Sequence, residues 1–296
     1  MQSRPIPIVR PRNETHLAEL CTSPTPMLLQ GVPELCWPTP PMDLETVAAR
    51  AGHAVVDYRK STSYLHPDLH TDLPWELRRA PLREVLDDLL TNADPNRSVF
   101  IGGTILIQTG GKVSPGFEDL VSDALVPSFI PRDLFVRSNL WVSRGRLRSW
   151  LHHDYVPGPN LNLQLKGGKE AILYAPQDFQ RLYPYPVDNV DRFNFSQVDV
   201  DAPDYERFAE FMHAERWEGE LREGDALLLP AYWFHSFKHS NDVNVNLNFW
   251  WRSGQRFDAV TTMHLRTLQM RIVNEEKPPD RSVLLRRLDE VLLKEA

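Results

Sequence analysis

At 296 residues, 42% of them hydrophobic and 25% charged, the chain has ordinary globular composition and enough length for a sizeable core. Its formal net charge of −7, without any long lysine or arginine run, lacks the electrostatic footprint of a nucleic-acid binder, so no nucleic-acid partner is expected. Cys21 and Cys36 are too few for a disulfide framework, and there is neither a signal-length apolar N-terminus nor an apolar run of about 18 residues; these features predict a cytoplasmic protein with no membrane partner.

The 25 prolines argue against long helices over most of the chain and predict many short elements. In chain order, "DLETVAARAG" and "LREVLDDLLTNADP" carry apolar residues at helical spacing, the second ending in an Asn/Asp/Pro stop. Strand-like runs follow at "SVFIGGTILIQ", "SNLWVSRG", "NLNLQLKG", "EAILYAP", "DALLLP" and "VNVNLNFWW". From Phe257 onward, Leu265, Leu268 and Ile272, and then Leu284, Leu285, Leu288, Val291 and Leu292, predict two amphipathic helices. The expected architecture is mainly β: a sheet-rich core behind an N-terminal α/β elaboration, followed by a C-terminal helical pair. The sheet core is expected at about 98–252 within residues 1–252, and the helical segment at 253–296.

His152 and Asp154 stand two apart, a spacing that on a strand turns both side chains to one face, where they can share a metal ion. His235, beyond the break at Pro230 and expected in aromatic surroundings of Tyr232, Trp233 and Phe234, supplies a third ligand. Two histidines and a carboxylate on one face leave the opposite face of the ion open, the arrangement favoured by non-haem Fe(II) oxygenases. A second His-x-Asp, His70 and Asp72 with His66 nearby, lies in the Pro- and charge-punctuated "YLHPDLHTDLPW" and reads as a loop.

Two strands alternate amides with apolar residues. Asn160, Asn162 and Gln164 oppose Leu161, Leu163 and Leu165, while Asn244, Asn246, Asn248 and Trp250 oppose Val243, Val245, Leu247 and Phe249. Such faces suit a barrel whose lumen holds a polar ligand. Lys169, after the Gly167-Gly168 turn, offers a positive charge to an anionic ligand, and Ser149, three residues before His152, offers a hydroxyl.

The stretches "WLHHD", "NLNLQLKGGKEAILYAPQDFQRLYPYPV", "SQVDVDAPDYERF", "GDALLLPAYWFHSF" and "NLNFWW" resemble the JmjC-type, cupin-like 2-oxoglutarate and Fe(II)-dependent oxygenases, and within them the factor-inhibiting-HIF asparaginyl hydroxylase. The likeness runs from about Ser138 to Arg252 and is weak before it. It implies iron at His152, Asp154 and His235, and 2-oxoglutarate at Ser149, Asn160, Lys169 and Asn248 with Trp250 nearby, O2 being the other cosubstrate. It also implies that residues 1–252 are a catalytic domain built on a double-stranded β-helix, or cupin-like jelly-roll, and that the C-terminal helices form a homodimer. Departures from the family pattern are visible. "YVPGP" lengthens the interval to Lys169, Phe193 stands beside Arg192 where the asparaginyl hydroxylase has an Arg-Gln pair, and the cosubstrate-binding tyrosine has no clear counterpart, Phe100 and Thr104 lying in that strand. The expected activity is hydroxylation of an unactivated C–H of an amino-acid side chain in a protein or peptide. The alternatives are hydroxylation of a free amino acid or small metabolite, and a cupin binding protein without turnover.

Overall fold

The computed structural model describes residues 3–37, 42–61, 76–91, 98–122, 125–145, 147–154, 156, 158–185, 192, 194–239 and 243–252. The expected C-terminal helical pair and the expected loop with His66, His70 and Asp72 lie outside the described residues. In chain order the elements are β1 (Ser3–Pro5), β2 (Ile8–Val9), α1 (Glu14–Leu20), β3 (Met27–Gln30), α2 (Val32–Cys36), α3 (Leu44–Ala51), β4 (Val55–Ser61), β5 (Glu76–Pro81) and α4 (Leu82–Thr91). They continue with β6 (Ser98–Gln108), β7 (Lys112–Val113), β8 (Phe135–Arg144), β9 (Asn160–Lys166), β10 (Lys169–Tyr174), β11 (Arg216–Leu221), β12 (Asp225–Leu229), β13 (Phe234–His239) and β14 (Asn244–Trp251). The two helices expected from periodicity are α3 and α4. Asp43 caps α3 by accepting from the Thr46 amide at 2.7 Å, which satisfies one of the amides left free at a helix start.

Among the described residues the strands form two sheets. A smaller one runs β1-β11-β10-β13, and a larger one runs β2-β3-β12-β9-β14-β8-β6-β4-β5, with β7 on β6. Consecutive strands β9 and β10 belong to different sheets, and so do β12 and β13, as the jelly-roll expectation requires. Alternation sorts the side chains into layers. Leu161 and Leu163 of β9, Ala226 and Leu228 of β12, and Val245, Leu247 and Phe249 of β14 face away from the smaller sheet into a core shared with Leu17, Val32, Val47 and Leu86 of the helices. Leu227 and Leu229 of β12 point the other way, meeting Ala171 and Leu173 of β10, Trp217 and Leu221 of β11, and Phe237 of β13 between the sheets. A third cluster, with Ile172, Tyr174 and Phe234, covers the far side of the smaller sheet using Phe179, Val198 and Phe211.

The amide faces of β9 and β14 therefore do not meet water. Asn160, Asn162, Gln164, Asn244, Asn246 and Asn248 are each 4% exposed or less. Burying six amides is costly unless each finds partners, so a lumen of this kind needs internal hydrogen bonds or a polar ligand. No helix among the described residues is long and apolar enough to cross a membrane. Cys21 and Cys36 are free, and burial is the main cause that pushes both thiols up to about 12.

Candidate metal centre

Residues 147–152 run antiparallel beside β13, with the Ser149 amide donating to the Phe237 carbonyl (2.8 Å) and the His239 amide to the Leu147 carbonyl (2.7 Å). At the end of this run His152 and His235 exchange backbone hydrogen bonds, 3.1 and 2.7 Å, which sets their imidazoles side by side with centroids 4.2 Å apart. The pairing stops there. Asp154 is not on a strand with His152, as the two-residue spacing predicted. It lies in irregular backbone, where the His153 imidazole bonds the Asp154 carbonyl and the Asn194 amide holds the His153 carbonyl. The chain must leave the ladder here because "YVPGP" follows, with prolines that give no backbone donor. The ligand atoms nevertheless converge: one from each of His152, Asp154 and His235 lies within 4.8 Å of the others.

The orientation of each ligand is fixed from outside. His152 Nδ1 lies 2.8 Å from the Trp150 carbonyl and His235 Nδ1 3.0 Å from the Trp233 carbonyl, so both rings donate through Nδ1 and are left with Nε2 as the metal-binding nitrogen. Asp154 Oδ2 accepts from Asn160 Nδ2 at 2.9 Å and from Trp250 Nε1 at 2.8 Å, while Oδ1 faces His235 Nε2 at 3.9 Å. Burial opposes the Asp154 charge. The two imidazoles and the Trp250 and Asn160 donors outweigh it and hold the carboxyl below the usual range. Burial, and then His152, push His235 well below the usual imidazole range, so it is neutral and able to ligate. The aromatic surroundings expected for His235 are corrected. Trp233 and Phe234 are in different apolar clusters, Tyr232 packs with Phe234, and the rings beside His235 are those of His152 and Phe237. Its position on β13 turns its immediate neighbours to other faces.

The lumen amides form a directed chain. Asn246 Nδ2 donates to Asn248 Oδ1, Asn248 Nδ2 to Asn160 Oδ1 at 2.9 Å, and Asn160 Nδ2 to Asp154. Lys169 is 3% exposed; its Nζ donates to Asn162 Oδ1 at 2.7 Å and lies 4.4 Å from the Phe237 ring centre. Among the described residues no carboxylate pairs with it, and burial pushes the ammonium down to about 7. Ser149 Oγ accepts from the Phe237 amide at 2.8 Å, which leaves its proton free to donate elsewhere. Trp141 Nε1, Asn139 Oδ1 and Gln164 Oε1 are buried with no hydrogen-bond partner among the described residues. The expected ligand residues are thus brought together, with Asn160 and Trp250 on the carboxylate, Asn248 behind Asn160, and Lys169 and Ser149 flanking Phe237. Asn162 as the partner of Lys169 went unassigned in the sequence, although it shares the face of Asn160.

Comparison with known proteins gives a consistent result. The chain is 31% identical over 177 residues to tRNA wybutosine-synthesizing protein 5 of Danio rerio, covering 55% of this chain and 52% of that protein. It is 25% identical over 236 residues to lysine-specific demethylase 8 of Danio rerio (76% and 53%) and 34% identical over 137 residues to lysine-specific demethylase JMJ31 of Arabidopsis thaliana (45% and 24%). The matches span about half or less of these relatives' own lengths. The cupin-like domain matches residues 13–257, a span that contains every strand of the two sheets except β1 and β2, together with the His-Asp-His cluster and the buried lysine, and the chain belongs to that family.

Proposed function

We propose that the chain is an Fe(II)- and 2-oxoglutarate-dependent oxygenase that hydroxylates an unactivated C–H of an amino-acid side chain in a protein or peptide. The observation that carries this reading is the pairing, between the same two sheets, of a His-Asp-His donor set, its carboxylate ionised and His235 neutral, with a buried lysine that has no carboxylate partner among the described residues. The donor set fits a divalent first-row metal, and the lysine fits an anion. Fe(II) held there with 2-oxoglutarate and O2 supplies hydroxylation coupled to oxidative decarboxylation of 2-oxoglutarate to succinate and CO2. The chain's own residues would do the positioning. His152, Asp154 and His235 would hold the metal, and Trp250 and Asn160 would keep Asp154 Oδ1 turned toward it. Asn160 and Asn248 would border the metal end of the cosubstrate, while Lys169 and Ser149 would take its distal carboxylate. The buried amide and apolar walls of the lumen would keep bulk water from the cosubstrate.

The particular likeness to an asparaginyl hydroxylase belongs to this proposal, as does a homodimer built through residues 253–296. The exclusion of nucleic acid does not stand as a finding, because one relative is named as a tRNA wybutosine-synthesizing protein. The net charge of −7 still favours a protein or peptide over a polyanion. The test is succinate release by purified protein with Fe(II) and 2-oxoglutarate, offered peptides, free amino acids and tRNA in parallel, with mass spectrometry for a gain of one oxygen. Asp154→Ala should remain folded, bind metal weakly and release no succinate; normal turnover in that variant would refute the metal assignment. Oxygen gained by tRNA alone would move the substrate to the nucleic-acid class.

A further inference from the structure

β13 presents His235, Phe237 and His239 on one face, because side chains two apart share a side. That face looks into the lumen. His239 is the direct register partner of Lys169 on β10, and Lys169 reaches across to Asn162 of the larger sheet. His239 crosses the same space, its Nδ1 lying 2.8 Å from Ser143 Oγ on β8. Phe237 stands between the two ends, with the His235 ring 5.4 Å on one side and Lys169 Nζ 4.4 Å on the other. The metal ligand and the Lys169–His239 pair thus occupy successive positions along one wall. Four residues of strand separate the two histidines, about 13 Å at ~3.3 Å per residue.

Two features of His239 have no structural use in the fold. Its Nε2 has no hydrogen-bond partner among the described residues, and its ring stands beside a lysine, an arrangement that favours an anion between the two. Burial, and then the Lys169 charge, push the imidazole down to about 3, so it is neutral. With the Ser143 hydroxyl donating to Nδ1, a neutral ring carries its proton on Nε2 and becomes a donor.

We propose that His239, fixed by Ser143, donates through Nε2 to the distal carboxylate of 2-oxoglutarate and shares that carboxylate with Lys169. The assignment rests on the cosubstrate reading above and adds to it a binding residue, His239, and a positioning residue, Ser143. Neither followed from the metal motif.

The test is calorimetric titration of full-length protein loaded with Mn(II), without O2, using 2-oxoglutarate and 2-oxovalerate. The second acid has the same carbon chain but a methyl group in place of the distal carboxylate. His239→Ala should weaken 2-oxoglutarate binding about ten- to a hundredfold, as expected for a lost hydrogen bond to a charged group, and leave 2-oxovalerate binding and Mn(II) affinity unchanged. His239→Asn, which keeps a donor, should recover part of the loss. Ser143→Ala should weaken 2-oxoglutarate less, again without touching 2-oxovalerate. Unchanged 2-oxoglutarate binding in His239→Ala, or equal losses for both acids, overturns the role of His239 and leaves the cosubstrate reading in place. Native protein that fails to prefer 2-oxoglutarate over 2-oxovalerate overturns both.

Discussion

At the scale of single residues, the centre shows how little of a metal site lies in its ligands. Asp154 has two oxygens with separate tasks: Oδ2 is occupied by Asn160 and Trp250, and this leaves Oδ1 free to face the histidines. Trp250→Phe keeps the ring and removes one donor, so metal affinity should fall by roughly ten- to a hundredfold, the usual loss for such supporting contacts. Metal titration followed by electron paramagnetic resonance of Mn(II) would read it, and an unchanged affinity would mean that Asn160 alone orients the carboxylate. Lys169 makes a pH-dependent prediction. Burial pushes its ammonium down to about 7, against 10.5 for an ordinary lysine. Between those values the unfolded chain holds a proton that the fold does not, so the lysine's cost to the fold is full below about pH 7 and fades as pH rises toward 10.5. A carboxylate on Nζ selects the charged form. Affinity for 2-oxoglutarate should therefore fall as pH rises above about 7, by up to about tenfold per unit, and Lys169→Met protein should show a weak but level profile. The three side chains that converge, and the lysine, were legible as candidates in the sequence because residue type and spacing carry the signal. The carbonyls of Trp150 and Trp233 that set the imidazole tautomers were not, since any residue has a carbonyl.

At the scale of elements, alternation in β9 and β14 was readable, and it placed the amides on the lumen side correctly. What alternation cannot say is which sheet a strand joins. β9 and β10 are separated by Gly167 and Gly168 alone, a length that also suits a plain hairpin, yet they part into different sheets. Gly167 makes this turn at φ +73°, and an added Cβ would lie 2.5 Å from the Val243 carbonyl oxygen. Gly167→Ala should lower stability by roughly 1–3 kcal/mol in urea unfolding and displace Lys169, because both strain and contact oppose it. Stability equal to the native protein would show that the turn can relax. The segment at 147–154 misled for a related reason. Its pairing with β13 is an isolated run of bridges, and the chain leaves it between His152 and Asp154, so period two picked out side chains that do converge, through the wrong local geometry. β13 itself was hidden behind the aromatic "AYWFH" run, whose rings go to three different environments.

At the scale of the whole molecule, the sheet-rich core and the α/β front end were legible from element order and the jelly-roll from the family resemblance, while the sheet order was not, because strands far apart in sequence are neighbours in the ladder. The stripes at Leu284–Leu292 remain a sequence argument. Two short helices cannot bury such stripes against each other alone, so they pack on the barrel or on a second subunit; for the proposed homodimer, which rests on the family resemblance, full-length protein should scatter light at about twice the chain mass, and Leu288→Glu or Leu292→Glu should halve it. A monomer at high concentration would return both stripes to one chain. The donor set has a consequence of a different kind. His235 stands on the smaller sheet, whereas Asp154 is held by Asn160 of β9 and Trp250 of β14 in the larger one. An ion bound among them would act as a clasp across the sandwich, so that prising the sheets apart and losing the ion become one event. Amide hydrogens of β9, β13 and β14 should then exchange more slowly together when metal is added and quicken together when a chelator removes it, whereas α3 and α4, behind the larger sheet, should keep their own pace.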